Sequence, residues 1–156
     1  MKYVCPLIVV TDIKRSREFY TSLLKQKVKA DFGENVTFEG DFAIHLDSHF
    51  GGLIDGKEIR FGGNDAELYF ENDEVETLLP DLKKAGVEFV HELREQPWRQ
   101  QVIRFYDPDG HIIEVGESLE HTAFRLHMEG MDTEKISIIT YMPPELVTAA
   151  IEKYAD

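Results

Sequence analysis

One cysteine, one tryptophan and six prolines are spread over 156 residues. A lone Cys5 excludes an intramolecular disulfide, which suits a reducing cytoplasm better than an oxidising compartment. Long hydrophobic runs are missing as well. Nothing approaches the roughly 20 apolar residues of a membrane span. The apolar run after Cys5-Pro6 is short and no small-residue cleavage site follows it, so no signal peptide is expected. Basic residues are scarce. Seventeen Lys and Arg against 30 Asp and Glu leave a formal charge of −13. Phosphate backbones are held by basic stripes, so this balance argues against nucleic acid as a partner. The only dense basic group near the start, Lys14, Arg15 and Arg17, reads as the solvated face of a helix. The acidity keeps the chain soluble and would attract a cationic ligand.

What is present begins with Arg104-Phe105-Tyr106-Asp107-Pro108-Asp109-Gly110-His111-Ile112-Ile113-Glu114-Val115. This is a strand, a tight turn and a second strand. Pro108 fixes φ, the Asp side chains bond nearby amides, and Gly110 takes a positive φ without strain. Glu114 interrupts an apolar strand. Its carboxylate must find solvent, a partner or a metal, because burying it unpaired is costly.

The pattern occurs twice. Gly40-Asp41-Phe42-Ala43-Ile44-His45-Leu46 matches Asp109-Gly110-His111-Ile112-Ile113-Glu114-Val115, which sets His45 opposite Glu114. Cys5-Pro6-Leu7-Ile8-Val9-Val10-Thr11-Asp12-Ile13 matches Glu67-Leu68-Tyr69-Phe70-Glu71-Asn72-Asp73-Glu74-Val75, which pairs Cys5 with Glu67. An amphipathic helix follows each copy. Four potential donor side chains thus occupy equivalent strand positions of two repeats.

In the first repeat, residues 3–10 read as a strand covered on both faces. Asp12 is a plausible N-cap, and Ile13, Ser16, Phe19, Tyr20, Leu23 and Leu24 follow at helical spacing. Strands are expected over 27–31, 37–39 and 43–47. Gly51-Gly52, Asp55-Gly56 and Gly62-Gly63-Asn64-Asp65 mark a loop-rich crossover. The second repeat opens with a strand over 66–71. Asp73 and Glu76 have capping-box spacing, and Gly86 stops the helix. Strands over 87–93, 101–106 and 111–116 complete it. The remainder reads as a helical tail. Gly130 ends one helix, Asp132 or Thr133 caps the next, and Pro144 opens a third. Its acidity opposes a helix-turn-helix role; a lid or a dimer contact suits it better.

These motifs resemble the vicinal-oxygen-chelate superfamily, which includes glyoxalase I, fosfomycin-resistance enzymes, extradiol dioxygenases and bleomycin-resistance proteins. The resemblance covers residues 2–117. Its most specific parts are Val10-Thr11-Asp12-Ile13 with Phe19-Tyr20, and Asp107-Pro108-Asp109-Gly110 with Glu114. It implies an α+β fold of two βαβββ modules forming a curved mixed sheet around a cavity, usually in a homodimer. Residues 1–117 would form that domain (module one about 1–60, module two about 64–117), and 118–156 a helical C-terminal extension. Metal-dependent members place ligands on the first and fourth strand of each module, which implies Cys5, His45, Glu67 and Glu114 as the metal set. Family enzymes usually carry His or Gln at the position of Cys5 and His at that of Glu67. Glyoxalase I has Glu at that of His45. Only Glu114 is the expected residue.

Strand parity aims His45 and Glu114 away from the helix-packed face, together with Glu67, Tyr69 and Glu71. A thiolate, an imidazole and two carboxylates suit Zn²⁺ or another first-row divalent ion such as Ni²⁺, and a mostly oxygen set favours Mn²⁺ or Fe²⁺. The ion would act as a Lewis acid on vicinal substrate oxygens. Glu67 is the candidate base and Glu114 the better-matched ligand and second catalytic carboxylate. The alternative is a metal-free polar cavity in which His45 bonds Glu114 or Glu67. Cys5 is either a small hydrophobe or a reactive thiol. Tyr69, Trp98 and Arg104 are candidate ligand contacts. Trp98 stacks on a ligand or packs, and Arg104 needs an anion, either a neighbouring carboxylate or a substrate. Two functions follow for a cytoplasmic small-molecule-binding protein. One is a metal-dependent lyase or transferase; the other is a non-catalytic, bleomycin-resistance-like protein that sequesters its ligand.

Overall fold

The computed structural model describes residues 1–155. They form two open four-stranded mixed sheets with helices, an α+β architecture. One compact unit comprises Met1–Ala66 with Tyr106–His111; the other comprises Glu67–Phe105 and the chain from Ile112 onward.

In the first unit the chain runs through β1 (Leu7–Val10), α1 (Ile13–Glu18), β2 (Val28–Asp31), β3 (Asn35–Phe38), β4 (Ala43–Leu46) and α2 (Asp47–Leu53). The sheet order is β1-β4-β3-β2, with β1 parallel to β4. Asp12 caps α1, its side chain accepting from the amides of Lys14 and Arg15. A π-helical turn over Phe19–Leu23 continues the helix and buries Tyr20 against Phe38 and Phe42. In the second unit β5 (Glu67–Glu71), α3 (Val75–Ala85), β6 (Phe89–Glu95), β7 (Gln101–Tyr106) and β8 (Ile112–Gly116) build the order β5-β8-β7-β6. The repeat read in the sequence is therefore a repeat of topology.

The register corrects one equivalence. Val9 lies across from His45 and Tyr69 across from Glu114, so Leu7, not Cys5, corresponds to Glu67. The sequence match is true for the helices, whose N-caps are Asp12 and Glu74. It slips by two residues in the strands, because Glu71-Asn72-Asp73 bridges strand and helix where Thr11 alone suffices in the first repeat. Cys5 precedes β1, and Tyr3 and Val4 are exposed rather than covered. Two further expectations change. Residues 47–53 form α2 where glycines suggested a loop, because Asp47 begins a helix directly at the end of β4. Asp73 does not cap α3; its oxygens accept from the Ser118 amide and the Tyr154 hydroxyl instead.

The turn between β7 and β8 is organised by one carboxylate. Asp107 is buried. Its Oδ1 accepts from the amides of Asp109 and His111, each at 2.9 Å, and its Oδ2 from the Tyr20 hydroxyl and His111 Nδ1, each at 2.8 Å. Asp109 in turn accepts from Thr11, Arg15 and Ser16. Gly110 is required at φ +86°, and a Cβ there would lie 3.2 Å from the Gly62 backbone.

Three helices end the chain: α4 (Leu119–Met128), α5 (Thr133–Thr140) and α6 (Pro144–Ala155). Ser118 and Asp132 cap the first two. They share a core of Ala123, Leu126, Ile136, Met142, Val147 and Ala150. This cluster is tied to the second sheet by Glu117. That residue is 1% exposed, and it accepts from the Gln101 amide at 2.9 Å, Arg125 Nη2 at 2.7 Å and His121 Nδ1 at 2.9 Å. No helix among the described residues is long and apolar enough to cross a membrane.

Burial opposes ionisation of Asp107, but the hydrogen bonds from His111 and Tyr20 prevail and hold its carboxyl below the ordinary 3.8. Its stabilising contribution is therefore complete above that value and lost as pH falls through the lower, folded one. Asp107→Asn turns an amide towards two donors. It should cost about 1–3 kcal/mol at neutral pH and flatten the acid limb of the stability curve, as measured by urea unfolding between pH 3 and 7.

Candidate functional site

Side chains alternate along β5, β7 and β8. One face of the second sheet carries Leu68, Phe70, Ile103, Phe105, Ile113 and Val115, with Val75 and Leu82 of α3 also buried. The other face carries Glu67, Tyr69, Gln100, Arg104 and Glu114. Parity places these together; Arg104 pairs with Glu67 and Glu114, and Gln100 bonds Tyr69.

Arg104 spans the two predicted carboxylates. Its Nε donates to Glu67 Oε2 at 3.0 Å, its Nη2 lies against Glu114 Oε2, and its Nη1 is 3.4 Å from His91 Nε2. The side chain of Glu114 is 7% exposed and that of Glu67 38%. The two carboxylates thus differ: Glu114 is the buried anchor and Glu67 the open partner. Arg104 thus has neighbouring carboxylates as anionic partners.

Tyr69 faces Glu114 across the ladder and is 46% exposed. Its hydroxyl donates to Glu71 Oε1 at 3.1 Å and accepts from Gln100 Nε2 at 2.9 Å. Burial of the hydroxyl and the Glu71 charge push the phenol up to about 12, against a smaller opposite pull from Gln100. Trp98 lies ahead of β7 and donates from Nε1 to Gln100 Oε1 at 2.8 Å. Gly116 lets these groups close over β8. A Cβ there would lie 3.0 Å from Val102, 3.1 Å from Gln100 and 3.4 Å from Tyr69.

In the first unit His45 is buried on β4. Asn35 Nδ2 is 3.2 Å from its Nδ1, and its Nε2 is 2.6 Å from Nδ1 of His49 on α2. An amide N–H can only donate, so His45 accepts at Nδ1 and donates from Nε2. The two rings stack. Burial, followed by His49, lowers the His45 pKa. His49 was not singled out in the sequence, because the helix that delivers it ends in Gly51-Gly52-Leu53, which read as a loop. Gln100 and Glu117 were missed too, since neither belongs to a motif.

The predicted set therefore divides. Cys5 and His45 belong to the first unit; Glu67, Tyr69, Trp98, Arg104 and Glu114 belong to the second. Within neither unit do three His, Cys, Asp or Glu side chains among the described residues converge as metal donors. Within the second unit, Glu67 and Glu114 do not fit a divalent ion as arranged, and within the first, His45 and Cys5 do not converge. A guanidinium neutralises both carboxylates, the Nε2 proton of His45 is given to His49, and Cys5 lies outside the ladder.

A family model described as "Glyoxalase-like domain" matches residues 3–120. The chain belongs to the glyoxalase-like family. A solved protein of unknown function from Agrobacterium tumefaciens is 43% identical, with TM-score 0.69 over 76% of this chain and 94% of that one. A glyoxalase/bleomycin resistance protein/dioxygenase from Nocardioides is 21% identical, with TM-score 0.60 over 75% and 83%. The fosfomycin resistance protein FosX from Listeria monocytogenes, solved with Mn(II) and sulfate, is 20% identical, with TM-score 0.59 over 81% and 98%. The last two carry the fold alone. No curated protein matches the chain.

The lowered His45 pKa has a direct check. His45 should titrate below the ordinary 6.5 by ¹H–¹⁵N NMR, and His49→Ala should raise it. The stability linked to this group is complete above pH 6.5 and falls as pH drops through the folded value.

Proposed function

We propose that this glyoxalase-like protein binds a small cationic aromatic molecule, without a metal, on the face of the second sheet that carries Glu67, Tyr69, Trp98, Arg104 and Glu114. The observation that supports the metal-free reading is Arg104. A cation belonging to the chain stands between the two carboxylates that a metal would need. Turning them to a metal would take both carboxylate partners from the largely buried Arg104 guanidinium, which is costly for a charge held away from water.

The difference between the carboxylates supports a cationic ligand. A positive group can take the open Glu67 while Arg104 keeps Glu114, so no buried charge is stranded. The half-exposed Tyr69 ring lies between Glu67 and Glu71 on the same side of β5. An aromatic face flanked by carboxylates favours a cation by about 0.5–2 kcal/mol. The net charge of −13 adds long-range attraction. Glu67 and Glu114 then act as binding groups rather than as base and metal ligand.

Titration with benzyltrimethylammonium and with its uncharged tert-butyl isostere tests this, alongside elemental analysis. Binding of the cation alone, weakened by added salt and by Glu67→Gln about tenfold, is expected. Near-stoichiometric Zn²⁺, Mn²⁺, Ni²⁺ or Fe²⁺ in chelator-free protein, lost in Glu114→Gln, would overturn it in favour of a metal-dependent lyase or transferase.

The same reading takes the protein as a cytoplasmic homodimer. Tyr3, Val4 and Leu7, exposed ahead of and on β1, support the dimer. Light scattering should give twice the chain mass, and one chain mass for Tyr3→Glu combined with Val4→Glu.

A further inference from the structure

Gln100 belongs to none of the motifs, yet it is 5% exposed and every polar atom of its side chain is engaged. Oε1 accepts from the indole of Trp98 at 2.8 Å. Nε2 donates to the Tyr69 hydroxyl at 2.9 Å and to the Glu117 carbonyl at 2.6 Å. The amide orientation is fixed by its partners. An indole N–H needs an oxygen, and a backbone carbonyl needs an N–H. A short backbone turn holds Gln100 itself: the Gln96 amide donates to the Gln100 carbonyl at 2.8 Å, and Arg99 adopts φ +71°.

Three otherwise separate parts of the second unit meet at this one amide: the Trp98 loop, the aromatic residue of β5, and Glu117. Glu117 is also the residue whose carboxylate anchors α4 through Arg125 and His121. Gly116 supplies the space, since a Cβ there would press on Val102 and Gln100 at 3.0 and 3.1 Å.

We infer that Gln100 is the positioning residue of the ligand face. It sets the Tyr69 and Trp98 rings as two walls of one cation site, and through Glu117 it joins the helical extension to that site. This rests on the cation-binding reading above and extends it. The ligand touches the rings, and Gln100 acts through them. Its amide cannot be replaced by a carboxylate, because Oε in place of Nε2 would face the Glu117 carbonyl without a proton. It cannot be replaced by an apolar side chain without releasing both rings. The coupling runs both ways: a ligand that orders Tyr69 and Trp98 also holds the amide on Glu117, and so favours the docked extension.

Trp98 is the sole tryptophan, so its fluorescence reports this wall alone. The experiment compares the full-length protein with Gln100→Met, Tyr69→Phe and the double variant, using Trp98 emission without ligand and benzyltrimethylammonium affinity. Gln100→Met should red-shift Trp98 emission and weaken the probe about tenfold. In the Tyr69→Phe background, Gln100→Met should weaken it further by less than that. Added ligand should slow amide exchange across residues 119–128 in the wild type and not in Gln100→Met. Unchanged emission and affinity in Gln100→Met, or losses that simply multiply in the double variant, would overturn the inference. If Gln100→Met proves too unstable, Trp98→Phe removes one partner and leaves the Glu117 bond; it should cost affinity for the cation without changing melting of the extension, and no loss would overturn the role. If the wild type does not bind the probe, the cation-binding reading fails. Gln100 is then judged by the emission shift, whose absence overturns it as well.

Discussion

The Asp107 carboxylate is the constraint from which the second sheet takes its order. Four donors converge on it, two from the turn backbone, one from His111 and one from Tyr20. They fix the turn that joins β7 to β8. A β-ladder that slips by one residue exchanges its two faces. Such a slip here would carry Arg104 to the opposite side from Glu114 and expose Ile103 and Phe105. The ion pair on the ligand face and the apolar packing beneath it thus share one local cause, far from either in chemistry. The carboxylate also stays charged while buried, because the hydrogen bonds and charge of His111 and the hydroxyl of Tyr20 outweigh its desolvation.

The two repeats share topology and diverge in what they present. In the first, the β1 positions beside β4 are Leu7 and Val9, and β4 offers His45 to a second imidazole. In the second, the corresponding positions are Glu67 and Tyr69, and β8 offers Glu114 to a guanidinium. One copy keeps an imidazole pair, with His45 held below its ordinary pKa. The other keeps charges. A duplicated frame has become one apolar-lined module and one polar module, and the polar one also carries the helical extension.

Much of the frame could be read from the sequence, because local chemistry determined it. The Asp107-Pro108-Asp109-Gly110 turn, the caps at Asp12 and Asp132, the left-handed Gly86 and the face of Glu114 each follow from a few neighbouring residues. The site was less legible because its partners are distant in the chain. Arg104 reaches Glu67 across 37 positions and Gln100 reaches Tyr69 across 31. The sequence showed that Arg104 needed an anion but not which one. Cys5 was set against Glu67 because the helices align with a different offset from the strands, and a match anchored on one misplaces the other. His49 was hidden because α2 forms over two glycines, where the end of β4 and Asp47 outweigh their low helix propensity.

The α4–α6 cluster has a core of its own and lies almost wholly beyond the matched residues 3–120. Among the described residues it is attached through polar contacts: the buried Glu117 with Arg125, Arg125 with Glu95 and the Arg99 carbonyl, Glu129 with Arg99, and Asp73 with Tyr154. A body that is internally well packed and joined at polar points opens as a block rather than fraying. The α4–α6 helices, which share one compact unit with the second sheet, would then open together. Such a block can be gained or lost by a family member with little repacking of the sheets, provided the residue after the last strand supplies the anchoring carboxylate.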